Sequence, residues 1–470
     1  MSIGRYKINR FFGIDQSVEE NYLANGYTAD ACNMNTDDGN LSVAKGFTRK
    51  LVNALPGDED IHRCVVFRHK NGDIHIAVAG DTIYLNMGTG WIARYTYPSP
   101  LEKHDFGFAE VKIDDTDYLL IANGETQMLK FNSTAVSDFG SEEMCSNRPV
   151  RYLAMYKNRL FAAGDSEFPN RLYWSKLPGD GRTIEDWSAG DASVNVEGGH
   201  TQIGMFDSDP IVAITALSSQ LLIFKKNSLY RLYGDKPSNF TVEEIESVIE
   251  YTPHTSIVHY GDVAYFMTKN GMYVFDGVSA HPMQDSERIK NILAECDTAC
   301  AKGARTRDKI FYLLKRGNED IIIEYSLKRQ TYMLRQGFNA DDIFSRNGDI
   351  YIVSDRWVCK FNDGDTYAGN PIHAYWKTPL TDLDEKTVIK QLLELCLRGD
   401  RQKKGVLHLE TEAGGIKREY SIRLDGSEAV DIPLCDEGRS FCLKFSNEAG
   451  GTFSIRGGLE LLLSMRGRCI

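Results

Sequence analysis

Two cysteines four residues apart, Cys296 and Cys300, head the side chains whose spacing could do chemistry. On a helix that spacing puts both thiols on one face, but no histidine and no second cysteine pair joins them, as a zinc site requires. No CxxC occurs, and all ten cysteines read as reduced thiols. GTGWIA (88–93) resembles a nucleotide loop but lacks the last glycine and a following strand–helix unit, so it reads as a hairpin turn. The sequence holds no GxxxxGK[ST], HExxH or nucleophile elbow, and its ten histidines are dispersed. The acidic clusters GDED (57–60), DDTD (114–117), EEIE (243–246) and DGD (363–365) lack the rest of a calcium loop and read as solvated turns. Paired carboxylates for glycoside cleavage could still assemble from separate repeats. No catalytic residue, cofactor site or metal ligand is assigned. One residue stands out: Trp187, flanked by Asp186 and Asp191 in a Gly/Asp-rich stretch. It is either an anchor for a protein interface or a plug packing its own loop down.

The elements that must position these residues recur along the chain. An alternating apolar strand, a turn and a second short strand repeat at 73–86, 117–131, 158–174, 220–233, 263–277, 309–325 and 349–364. Ile74, Ile76 and Val78 show the period of two that puts one strand face in a core. Gly-Asp, Asn-Gly, Lys-Asn and Arg-Gly-Asn at the joins suit tight hairpin turns. The second strands lie 36 to 57 residues apart, close to the roughly 40–45 residues of a four-stranded propeller blade. Seven units favour a seven-bladed β-propeller over 41–370, six to eight being compatible, with Leu41–Leu51 supplying the missing strand of the last blade. The longest interval holds a Gly/Asp/Ser-rich excursion at 178–210, read as lying between blades. DSERIKNILAECDTACAKG (285–303) reads as a short amphipathic helix capped by Ser286 and ended by Gly303. Ser17 and Glu20 fit a capping box in an N-terminal arm, residues 1–40.

After Gly369-Asn370-Pro371 the repeat stops. Six short alternating strands between 391 and 466 predict a C-terminal β-sandwich over 371–470, with Leu459, Leu461, Leu463 and Met465 facing its core. The fold class is therefore all-β. The 470 residues carry 54 basic and 66 acidic side chains, and the whole excess of −12 falls in residues 1–370. Gripping duplex DNA needs a basic patch, and RQKKG (401–405) reads instead as a hairpin turn. No apolar run approaches the ~18 residues of a membrane span, and MSIGRYKINRFFGIDQS lacks a signal-peptide core, so the chain is expected to be made in the cytosol.

Four stretches carry a family resemblance: ACNMNTDDGNLSVAKGFTRKL (31–51), KNRLFAAGDSEFPNRLYWSKLPGDGRTIEDW (157–187), PIVAITALSSQLLIFKKNSLYRLYG (210–234) and SFCLKFSNEAGGTFSIRGGLELLLSMRGR (440–468). They resemble the packaged-DNA stabilisation, or tail nozzle, proteins of short-tailed bacteriophages. The resemblance implies a non-enzymatic virion component without cofactors. It implies a sixfold ring (a hexamer) at the distal end of the head-to-tail conduit, with host cytoplasm as the site of assembly. The implied partners are other copies of the chain, the head-to-tail adaptor or portal-proximal protein, tail fibres, spikes or needle, and double-stranded DNA passing through unread. The acidic 1–370 region suits a conduit that lets DNA slide. A neck or tail-tip decoration protein of the same fold, or a propeller enzyme degrading glycans, is the alternative.

Overall fold

The strand Thr116–Ala122 (TDYLLIA) shows why such repeats must form a ring. Its successive apolar residues point to opposite faces, and both faces are buried: Leu119 and Ile121 in one cluster, Leu120 and Ala122 in another. A sheet that is apolar on both sides cannot stand alone. The computed structural model describes residues 2–70, 72–204, 209–245, 249–400, 405–424, 429–447 and 450–466.

Seven four-stranded antiparallel sheets follow one another, making a seven-bladed propeller. Blades 1 to 6 span 61–96, 107–138, 152–202, 211–245, 258–282 and 296–338. Blade 7 takes three strands from 342–361 and its outermost strand, Phe47–Arg49, from near the start of the chain. Phe47 pairs with Phe361 and Arg49 with Cys359, so the expected closing strand is present. Separate apolar clusters fill the seams between blades 1 and 2, 2 and 3, 3 and 4, and 4 and 5. Another fills the seam between blades 7 and 1, which closes the circle. The largest joins blades 5, 6 and 7 to a second body.

That body is a β-sandwich. One sheet runs Met34–Asn35, Leu41–Val43, Ser454–Arg466, Ile389–Gly399, Val430–Pro433, with Ser2–Ile8 and Glu437–Gly438 on its flanks. The other runs Asp30–Cys32, Tyr375–Lys377, Phe441–Asn447, Gly405–Ala413, Ile416–Leu424. Leu459, Leu461 and Leu463 are buried between them, as their alternation predicts. The two final strands read from the sequence are one thirteen-residue strand, bent at Gly457 and Gly458. Both have positive φ, and a Cβ on Gly458 would sit 1.8 Å from the Ile8 carbonyl oxygen.

Four expectations are corrected. Residues 1–40 are no free arm: they supply three strands and part of the contact with the ring. The capping box does not form, because the Ser17 hydroxyl donates to Asp15 (2.6 Å) and Glu20–Tyr22 is a single 3₁₀ turn. The 285–303 helix stops early. A 3₁₀ turn, Gln284–Ile289, and one helical turn, Lys290–Ala294, lead straight into the strand Cys296–Arg305. Gly303 lies in that strand, where a Cβ would meet the Ser256 carbonyl oxygen at 2.6 Å. The long excursion lies mainly inside blade 3, between Arg171–Trp174 and Gly199–Gln202, rather than between blades. The RQKKG turn falls on 401–404, outside the described residues, as do 205–208 of the excursion.

The sandwich docks on the outermost strand of blade 6, Thr331–Phe338, covering an edge that would otherwise present unpaired backbone. Ile14 N–H donates to the Tyr332 carbonyl and Asn33 N–H to that of Leu334, both at 2.9 Å. The buried Asn33 side chain donates to the carbonyls of Gln336 (2.9 Å) and His373 (2.7 Å), and accepts from Gln336 N–H (3.0 Å) and the Tyr367 hydroxyl (2.8 Å). Every hydrogen-bonding position of that amide is used.

Candidate functional site

Trp187 resolves first. It is 3% exposed, packed in the seam between blades 2 and 3. Its ring stacks on Tyr173 with centroids 5.6 Å apart, and its indole N–H donates to the Ile184 carbonyl at 3.1 Å. Asp186 and Asp191 both hold the Lys176 ammonium, at 2.9 and 3.0 Å. Two carboxylates on one ammonium keep the lysine charged: burial alone would lower its pKa, but the pair of hydrogen bonds raises it. The three residues singled out in the sequence thus come together, and they plug the excursion onto its own ring instead of meeting a partner. Arg159, fully buried, completes the clamp by donating to the carbonyls of Asn195 (2.6 Å) and Glu197 (2.8 Å). What the clamp holds in place is the segment 141–145: Trp187 N–H donates to the Met144 carbonyl at 2.8 Å, and Gly140 N–H to Glu185 at 3.2 Å.

A second constellation lies at one mouth of the ring axis, where inter-blade loops and the starts of inner strands converge on a cavity of about 410 Å³. His62, Arg63, His104, Asp105, His254, Cys300, Lys302 and Asp341 line it, alongside a larger cavity of about 680 Å³ that shares Tyr251. Lys302 of blade 6 donates to the carbonyls of His62 in blade 1 (2.8 Å) and Asp341 in blade 7 (2.6 Å). Its ammonium lies 3.6 Å from the wholly buried carboxylate of Asp342, which also accepts from Arg63 (3.2 Å) and Cys64 N–H (2.6 Å). One ammonium therefore ties three blades where the last meets the first. Burial lowers the Lys302 pKa, and Asp342 opposes that.

Burial disfavours the charged form of two histidines here, His62 and His254. His62 stacks on His104 at 4.1 Å. Burial first, then His104 and Lys302, lower its pKa to about 4. His254 reaches the Phe106 carbonyl at 3.1 Å and Asp105 at 3.3 Å, and burial lowers its pKa too. The Cys300 thiol is pushed up by burial and by Asp297, so it is not an activated nucleophile. Cys296 and Cys300 sit on a strand with an irregular register, not on a helix face. Among the described residues, no group of three or more His, Cys, Asp and Glu is arranged to hold a metal ion. The arrangement is ionic bracing. In the sequence these histidines are scattered, 42 and 150 residues separating His62, His104 and His254, and only the ring closure unites them.

No family model and no curated protein matches the chain. Solved structures with a similar course include PorZ, a bacterial surface component of the type-IX secretion system of Porphyromonas gingivalis. It is 10% identical with a TM-score of 0.41, the match covering 81% of this chain and 46% of that one. The Pan2 WD40 domain of Neurospora crassa is 9% identical, TM-score 0.44, over 68% of this chain and 97% of that one. A chain of the Mitotic Checkpoint Complex is 10% identical, TM-score 0.39, over 67% and 92%. At such identities the likeness concerns the fold alone.

Proposed function

We propose that the chain is a structural subunit of a tailed-bacteriophage virion. Copies form a ring, a nozzle or hub in the head-to-tail conduit, that retains packaged DNA and passes it during ejection. The observation that carries this reading is where the resembling stretches fall. Residues 31–51 contain the strands that enter the sandwich and then close the ring, and 440–468 contain the two sandwich strands Phe441–Asn447 and Ser454–Arg466. Residues 157–187 and 210–234 build blades 3 and 4. Two of the four stretches thus lie on elements that join the two bodies, and the other two lie in the blades of the ring. The role is structural: the chain holds its neighbours and does not turn over a substrate. A neck or tail-tip station differs only in position within the particle.

Mass spectrometry and antibody labelling of purified particles test this directly. The expected result is a stoichiometric tail component at the distal end of the head-to-tail conduit. A chain absent from particles, or one confined to the tail tip, overturns the nozzle reading. One observation favours a second reading: Asp105 and Asp341 line the same cavity, and burial pushes the Asp341 carboxyl up, as a general acid needs. Turnover of host-surface polysaccharide that is abolished by Asp341→Asn would establish that glycan-degrading alternative.

A further inference from the structure

The two cavities at the mouth of the ring axis adjoin and form one groove. Arg151, which lines the larger, lies 3.5 Å from Asp105, which lines the smaller. Tyr152 of the first packs on His254 of the second with ring centroids 5.2 Å apart, and Tyr251 lines both. At about 410 and about 680 Å³, each half falls within the roughly 300–1,000 Å³ of ligand cavities. The walls are preformed. Arg151 Nε donates to the Asn123 carbonyl at 3.1 Å, in the turn after the second strand of blade 2, and a Cβ on Gly124 would lie 2.9 Å from that nitrogen. Glu125 accepts from the backbone N–H groups of Glu102 (2.7 Å) and Lys103 (2.6 Å), which pins the segment between blades 1 and 2. The Lys302 brace holds the far end.

The groups that these braces leave unused point to a ligand. Asp60, Asp341, Glu102, Lys103 and Tyr251 line the groove and are exposed. Among the described residues, the three carboxylates accept no hydrogen bond, and the Lys103 ammonium and the Tyr251 hydroxyl make none. Free acceptors and free donors therefore share one lining. A hydroxyl both donates and accepts, so a hydroxyl-rich ligand can satisfy both kinds. A chain of phosphates would meet the free carboxylates, and a basic peptide would meet Arg151 and Lys302. Tyr251, 36% exposed where the two halves join, presents an aromatic face to the apolar side of a sugar ring. We infer that the groove binds a neutral oligosaccharide laid across Tyr251, with part of the chain in each cavity. One copy of the protein suffices for this, and no turnover is required, so the inference stands apart from both the ring and the glycan-degrading reading.

A printed array of neutral gluco-, manno-, galacto- and N-acetylglucosamine oligosaccharides, probed with the labelled full chain, reads the binding. Heparin fragments, oligonucleotides and oligolysine serve as charged controls. At least one neutral oligosaccharide should be retained. Its affinity by titration calorimetry should fall at least tenfold in Tyr251→Ala, and less in Tyr251→Phe, which keeps the ring. Ser166 is exposed and lines the larger cavity, so Ser166→Trp should block the groove and weaken binding to a similar degree. Circular dichroism and unfolding midpoints show that the variants fold. Retention of no neutral oligosaccharide, equal affinity in Tyr251→Ala and Ser166→Trp, or preference for the charged controls overturns the inference. Cleavage of the bound chain that is lost in Asp341→Asn while binding persists upholds the groove and overturns the purely structural role. Whether copies assemble in particles is read separately, so the ring reading can fall without the groove, and the groove without the ring.

Discussion

Glu324→Gln probes the joint between the two bodies. Glu324 in blade 6 is 4% exposed and accepts from Arg335 Nε (3.0 Å) and Nη2 (2.8 Å), and from Lys309. Lys309 in turn holds Asp37 of the N-terminal segment at 2.5 Å. Burial alone would raise the Glu324 carboxyl, but Arg335 and Lys309, through charge and hydrogen bonds, bring it down from 4.5 to about 2. A drop of that size corresponds to roughly 3 kcal/mol of stability. Because the folded-state value is the lower one, this stability is complete above pH 4.5 and is lost as pH falls towards 2. The glutamine leaves Arg335, 2% exposed, without its counter-charge. Urea unfolding followed by tryptophan fluorescence should therefore show a penalty of about 3 kcal/mol at pH 7, shrinking to about 1 kcal/mol at pH 3. An equal penalty at both pH values would refute the electrostatic account. A penalty below about 0.5 kcal/mol at pH 7 would refute the idea that the network braces the joint at all.

Trp187→Ala should cost about 3–5 kcal/mol, as truncation of a buried aromatic does, and hydrogen exchange should quicken at 141–145 and across the excursion while blades 5 and 6 stay protected. Gly46→Ala should cost about 1–3 kcal/mol by urea unfolding, since its Cβ would lie 2.0 Å from the Thr366 carbonyl oxygen; a neutral result would mean that the two crossing segments give way. Burial lowers His62 and His75 to about 4, so between pH 6.5 and 4 the unfolded chain takes up protons that the folded chain does not. Stability should fall with acidification across that window, and His75→Phe should flatten the thermal-melting pH profile.

What the sequence reveals depends on how the residues are buried. Blades announce themselves because their second strands bury both faces: RLFAA (159–163) and LLIFK (221–225) are buried at every position. The outer strand of blade 3, Gly199–Gln202, reads GHTQ with no apolar residue, so it disappeared into the excursion. Asp30–Cys32 and Met34–Asn35 are too short for any periodicity to show, which is why residues 1–40 looked like an arm. Ile289, Ile292, Leu293 and Cys296 do share a helical spacing, but backbone pairing with blade 6 takes over at Cys296. Trp187 was noticeable from composition, yet whether it faced a partner or its own ring depended on Phe139 and Tyr173, contributed by blades 2 and 3. The axial brace was invisible: Lys302 bonds a carbonyl 240 residues away, and backbone carbonyls leave no mark in a sequence.

The path of the chain explains why ring and sandwich act as one solid. The first 43 residues give four strands to the sandwich, the next six close blade 7, and the chain returns to the sandwich only after the last blade. Two segments therefore cross the boundary, and they are bonded to each other: Gly46 N–H to the Gly364 carbonyl and Phe47 N–H to that of Thr366, both 3.0 Å. A single flexible linker would let the bodies swing; two bonded crossings, the saturated Asn33 amide and the Glu324 network remove that freedom. Buried polar groups of this kind add less net stability than apolar packing would, but satisfied in one geometry only, they fix how the bodies are oriented. In the ring proposed above, that orientation would set the angle between neighbours, so residues that touch no neighbour would still govern assembly.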